Sequence, residues 1–209
     1  MEGFPNGAYL LDRLQRLDVD AVDTGLEVRI AAPQHLFHAA AHRPSRIGSR
    51  LDDHIWIQRI AGVAGGAKLA DVLKTHLSRL GAGDYFAVLG YITMNPANEK
   101  TLQTIRHAVR DKKKVATVLG FGPRFLHSTG QAYKGGPNTG VFLQITCDDA
   151  KDLPVPGQKY TFGVVKAAQA RGDFAVLAER GRRAVRVHLG KNLKSGLATL
   201  TKAVQKAIA

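Results

Sequence analysis

From residue 66 onward the hydrophobic pattern alternates between two periods, and this limits the fold more than any other feature of the chain. Lys68 to Leu80 puts Leu69, Val72, Leu73, Leu77 and Leu80 on one helical face, and Gly81 supplies a C-terminal stop. Asp84 to Ile92 is an apolar run suited to a buried strand. Asn95-Pro96 opens a second helix with Leu102, Ile105 and Val109 on one face. Lys112, Lys113 and Lys114 fall at its negative dipole end. Strands are predicted at Val115–Leu119, Val141–Thr146 and Ala184–Leu189, the last nearer a sheet edge because Arg186 and His188 alternate with valines. Helices are predicted over Tyr160–Gly181 and Lys191–Ala209, with a polar, glycine-rich loop at Gly120–Gly140. Four strand–helix alternations joined by right-handed crossovers give an α/β fold: a three-layer α/β/α sandwich around a mainly parallel sheet.

Residues 1–65 read differently, as an N-terminal arm or partial domain before the α/β domain of residues 66–209. Residues 8–17 suit a short amphipathic helix, Leu26–Ile30 a short strand, and His54–Ile60 a second alternating run. An apolar fraction of 44% is enough for a packed core and argues against disorder along the whole length. A single cysteine excludes a disulfide framework and fits a reducing cytoplasm. No run approaches the roughly 20 apolar residues of a membrane span, and the N-terminus lacks the pattern of a signal peptide. The net charge of +13 favours anionic partners without selecting one.

The densest chemistry lies in residues 120–140. Ligands of parallel α/β sheets sit beyond the carboxyl ends of the strands, and this loop follows one of them. It holds Arg124, His127, Ser128, Thr129, Gln131 and Lys134. His127 can move protons near neutral pH. Arg124 and Lys134 can fix a charged oxygen. Ser128 or Thr129 can cap a helix whose free N–H groups attract an anion. The competing reading is a tight loop whose histidine only bonds the backbone.

This segment resembles a known family. Leu119-Gly120-Phe121-Gly122-Pro123-Arg124-Phe125-Leu126-His127-Ser128-Thr129-Gly130-Gln131, with Lys134-Gly135-Gly136-Pro137, is similar to the glucose-6-phosphate isomerase region of bacterial transaldolase/phosphoglucose isomerase fusion proteins. The similarity runs over residues 84–189, through Val141–Thr146, Pro156-Gly157, Tyr160–Gly163, Lys166–Ala170, Gly172-Asp173, Gly181–Arg183 and Arg186–Leu189. It implies the sugar-isomerase α/β/α sandwich. It also implies interconversion of glucose 6-phosphate and fructose 6-phosphate through an enediol, in glycolysis and pentose phosphate metabolism, with no metal and no organic cofactor. His127 matches the histidine of L-H-S-x-G-Q and inherits acid/base assistance. Arg124, Ser128, Thr129, Gln131 and Lys134 match the surrounding block and inherit substrate positioning.

Several family blocks are missing. E-S-T-G-K, which carries the base glutamate, is absent from the chain. So are D-Q-P-N-V, which precedes the family's lysine, and the phosphate-binding subdomain. Nothing in the sequence around Glu27, Glu99 or Glu179 marks one of them as the base. The resemblance therefore implies a C-terminal isomerase unit with an incomplete catalytic set. The missing isomerase and transaldolase regions would lie in the same longer protein or in another subunit, and a homodimer is one way to complete the site. The alternative is a non-catalytic module that binds a sugar phosphate.

Weaker signals have plainer readings. His35, His38 and His42 share a helical face that could bind zinc but reads as a solvated surface, so no metal is expected. Gly62–Gly66 with Lys68 imitates a phosphate loop without its spacing and reads as a flexible join. Lys112–Lys114, Arg180, Arg182, Arg183, Lys191 and Lys194 are scattered and lack interleaved aromatics. They read as a solvated surface rather than a nucleic-acid interface. Cys147 reads as a half-buried thiol at a strand end.

Overall fold

A computed structural model describes residues 68–209 in full and the backbone of residues 49–52 and 55–59. The predicted helix at 8–17, the strand at 26–30, His35, His38 and His42, Glu27 and the glycines at 62–66 lie outside the described residues. In chain order the elements are β1 (Ser49–Asp52), β2 (Ile55–Arg59), α1 (Leu69–Leu77), β3 (Tyr85–Tyr91), α2 (Pro96–Lys113) and β4 (Ala116–Phe121). A 3-10 turn (Arg124–His127) follows, then α3 (Thr129–Gly135), β5 (Gly140–Thr146), α4 (Phe162–Glu179), β6 (Arg183–His188) and α5 (Leu193–Ile208).

The strands form one sheet in the order β1-β2-β6-β5-β3-β4. β4, β3, β5 and β6 are mutually parallel. β1 and β2, both upstream of residue 66, extend that sheet as antiparallel strands. β6 is consequently an interior strand, which corrects its expected place near an edge: Val185 and Val187 pair with β5 on one side and β2 on the other. The true edge of the parallel block is β4, which is only partly buried.

Local sequence explains the helices. The Asn95 side chain accepts a hydrogen bond from the Asn98 N–H at 2.9 Å, and Pro96 takes the first helical position of α2. Asn192 caps α5 in the same way through the Ser195 N–H at 3.1 Å. α1, α2 and α5 cover one face of the sheet, burying Phe86, Val88, Val141, Leu143 and Val185. On the other face, Phe125 of the turn, Tyr133 of α3, and Ala170, Phe174 and Leu177 of α4 pack on Ala87, Leu89, Tyr91 and Phe142. The result is a three-layer α/β/α sandwich.

The chain leaves β3 toward β4, then returns past β3 to β5. The strand order therefore reverses between β3 and β5. In open α/β sheets ligands bind in the crevice outside the carboxyl ends at such a reversal.

Candidate functional site at the carboxyl edge of the sheet

The turn after β4 is fixed from below by aromatic packing. Gly122 lies so close to Tyr91 that an added Cβ would stand 2.6 Å from ring atoms. Its N–H donates to the Gly90 carbonyl at 2.9 Å. Phe125 is buried and meets the Tyr91 ring edge-on, with centroids 5.6 Å apart. This anchor holds the polar side chains of the turn outward, so Arg124, His127, Ser128, Thr129 and Gln131 are all exposed. Arg124 Nη1 reaches Met94 Sδ at 3.3 Å, tying the turn after β4 to the loop after β3. Gln131 Nε2 donates to the Leu126 carbonyl at 3.2 Å.

Two expectations change here. Ser128 holds the N-cap position of α3, but its hydroxyl makes no capping bond and turns back to the Phe125 carbonyl at 3.4 Å. α3 has only seven residues, too short to act as an anion site. Lys134 does not join the outward group. Its Nζ pairs with Asp173 Oδ1 at 2.7 Å, with the two side chains 14% and 2% exposed. Arg182 Nη2 donates to the Lys134 and Gly136 carbonyls, each at 2.6 Å. α3 is thus pinned at its far end by α4 and by Arg182, the residue before β6.

The basic residues divide in the same way. Arg183 grips both carboxylate oxygens of Asp84, at 2.7 and 2.8 Å, and holds that carboxyl below its ordinary range. Arg182 is buried. Arg183 is half-buried, so both arginines are tied into the fold rather than spread on a solvated surface. Below the rim, Arg186 donates from Nη2 to the Ala170 carbonyl at 2.8 Å, and its guanidinium lies 4.7 Å from the centre of the Phe174 ring. Burial draws it down to about 10.

Sequence reasoning missed the position of Glu99. It lies in the first turn of α2, directly after the loop that leaves β3, and is half-buried. Of the two glutamates among the described residues, it is the one at the carboxyl edge; Glu179 ends α4 at the opposite side. Only the strand order reveals this, because no local motif surrounds Glu99. Cys147 is half-buried, and burial pushes its thiol up to about 11. A groove of about 600 Å³ lies at the amino edge, between Leu80, Gly81, Gly83, Asp84, Lys113 and Lys114. It contains none of the candidate residues. No helix among the described residues is long and apolar enough to cross a membrane, and no group of three or more metal-binding side chains occurs among them.

Sheet order and layers define the class: an α/β/α sandwich built on a parallel four-strand core. Comparison with solved structures agrees. Hypothetical protein TT0462 from Thermus thermophilus is similar, with a TM-score of 0.56 and 14% identity over 68% of this chain. The match spans 39% of that protein's length. At that identity the likeness shows the fold alone. No protein-family model matches the chain, and no curated protein matches it.

Proposed function

We propose that this chain is the C-terminal unit of an aldose–ketose isomerase acting on sugar phosphates. The observation that carries the reading is the exposed imidazole of His127, held outward by the buried Phe125 at the carboxyl edge where such sheets bind ligands. Isomerisation through an enediol needs a proton acceptor near C1 and C2 and an acid/base group for ring opening. His127 suits the second task. Arg124 and Gln131 flank it and can orient sugar hydroxyls. Glu99 is the candidate acceptor within the described residues; otherwise the base comes from another region or subunit. The phosphate cradle likewise comes from outside the described residues, because Lys134 is engaged with Asp173.

That engagement favours one second reading, a module that binds a sugar phosphate without turning it over. A coupled assay with fructose 6-phosphate supplied and glucose 6-phosphate detected separates the two. The enzyme reading expects turnover that falls by about 10²–10⁴ in His127→Ala. Saturable binding without turnover assigns the binding module. Turnover unchanged in His127→Ala removes His127 from the mechanism.

A further inference from the structure

The last rung of the sheet holds a second set of reactive groups, separate from the turn that carries His127. Thr146 ends β5 and His188 ends β6, and the two are direct partners in the parallel ladder. Thr146 Oγ1 lies 3.0 Å from His188 Nδ1. On the other side of the ring, His188 Nε2 faces Asp148 Oδ1 at 3.3 Å. One tautomer serves both contacts: Nε2–H points at the carboxylate, and the Nδ1 lone pair accepts the threonine proton. Burial lowers the basicity of His188, and Arg186 and Lys166 lower it further while Asp148 opposes them. The neutral ring this tautomer requires is therefore the form present at neutral pH.

A threonine–histidine pair across two strands can simply tie the strands together. Three features go further. The carboxylate completes a hydroxyl–imidazole–carboxylate series in the order that activates a nucleophile. The series sits at the carboxyl edge, partly open to solvent, with the His188 side chain 22% exposed. Lys166, held by Asp149, adds a positive charge whose field lowers the basicity of the same imidazole.

We propose that Thr146, His188 and Asp148 form an acyl-transfer centre in which Thr146 is the nucleophile. Thr146 Oγ1 bonds to the acyl carbon of an ester as the ester C–O bond breaks. The hydroxyl proton passes to His188 Nδ1 and then to the departing alkoxide. Asp148 steadies the imidazolium formed on the way. Water later cleaves the acyl-threonine by the reverse proton path. The substrate class is an uncharged ester rather than a phosphate, because Asp148 beside the imidazole repels a dianion here. Cys147 does not compete: with its thiol pushed up to about 11 it stays protonated at neutral pH.

The test uses the full chain and p-nitrophenyl acetate at pH 7.5, with the modified residue located by peptide mass spectrometry. The proposal expects an acetyl group on Thr146, absent in Thr146→Val, retained in Thr146→Ser, and reduced at least tenfold in His188→Gln and Asp148→Asn. An unmodified Thr146 in the folded wild-type chain, with p-nitrophenol released no faster than by Thr146→Val, overturns it. So does acetylation of Thr146 that is undiminished in His188→Gln. Thr146→Val keeps the side-chain volume, and its comparison with the wild type can refute the proposal even if a histidine variant does not fold.

Discussion

His76 allows an acid-stability prediction with a worked magnitude. It lies on α1, fully buried between the helix and the sheet. Nε2–H donates to the Phe142 carbonyl at 3.0 Å, while Nδ1 is buried with no hydrogen-bond partner among the described residues. Burial draws its pKa from 6.5 to about 4, with Arg79 and Arg183 adding repulsion and the Phe142 bond opposing. The unfolded chain therefore takes up a proton near pH 6.5 that the folded chain refuses until about pH 4. A histidine depressed in this way leaves stability intact above the unfolded pKa and removes it as pH falls through the window. About 2.5 pH units at about 1.36 kcal/mol each give about 3.4 kcal/mol in full, and about 2.7 kcal/mol by pH 4.5. Carboxylates held low in the fold, such as Asp84 and Asp152, also weaken it in acid. The test is therefore a difference. His76→Gln keeps an N–H for the Phe142 carbonyl and cannot titrate. Urea unfolding of both proteins from pH 7 to 4.5 should show the wild type losing about 2–3 kcal/mol more than the variant. Equal slopes would mean that the folded chain does not keep His76 neutral.

Three further predictions concern the candidate site. Asp173→Asn strands the Lys134 ammonium in a nearly dry site and should cost about 3–5 kcal/mol by urea unfolding, because breaking a buried pair leaves one charge uncompensated; a cost below about 1 kcal/mol would mean the pair is solvated. Gly122→Ala drives a Cβ into the Tyr91 ring and should cost about 1–3 kcal/mol, read as a lowered Tm. Glu99→Gln should reduce isomerase turnover by about 10²–10⁴ with little change in Tm if Glu99 accepts the C1–C2 proton; unchanged turnover would place the base elsewhere.

What could be read in the sequence was local. Asn95-Pro96 specified the start of α2, and the spacing of Leu69, Val72, Leu73 and Leu77 specified the buried face of α1. Features set by distant chain segments were not readable. The interior place of β6 depends on β2, whose residues 55–59 precede it by more than a hundred positions. Lys134 looked like a rim cation until the fold supplied Asp173 as its partner. Arg182 and Arg183 looked like surface charge, yet they bind carbonyls and a carboxylate brought together only by tertiary packing. The short α3 was hidden because its glycine-rich sequence has poor helix propensity, and packing of Tyr133 with the Arg182 clamp outweighs that preference. Glu99 became a candidate only through strand order.

The proposed function requires a sugar phosphate to bind beside His127. A titration with fructose 6-phosphate, followed through the imidazole NMR signals of histidine-labelled protein, reads that contact. A saturable shift of the His127 signal is expected, with the buried His76 signal unmoved. A His127 signal that stays in place as the ligand rises to millimolar concentration would rule the contact out.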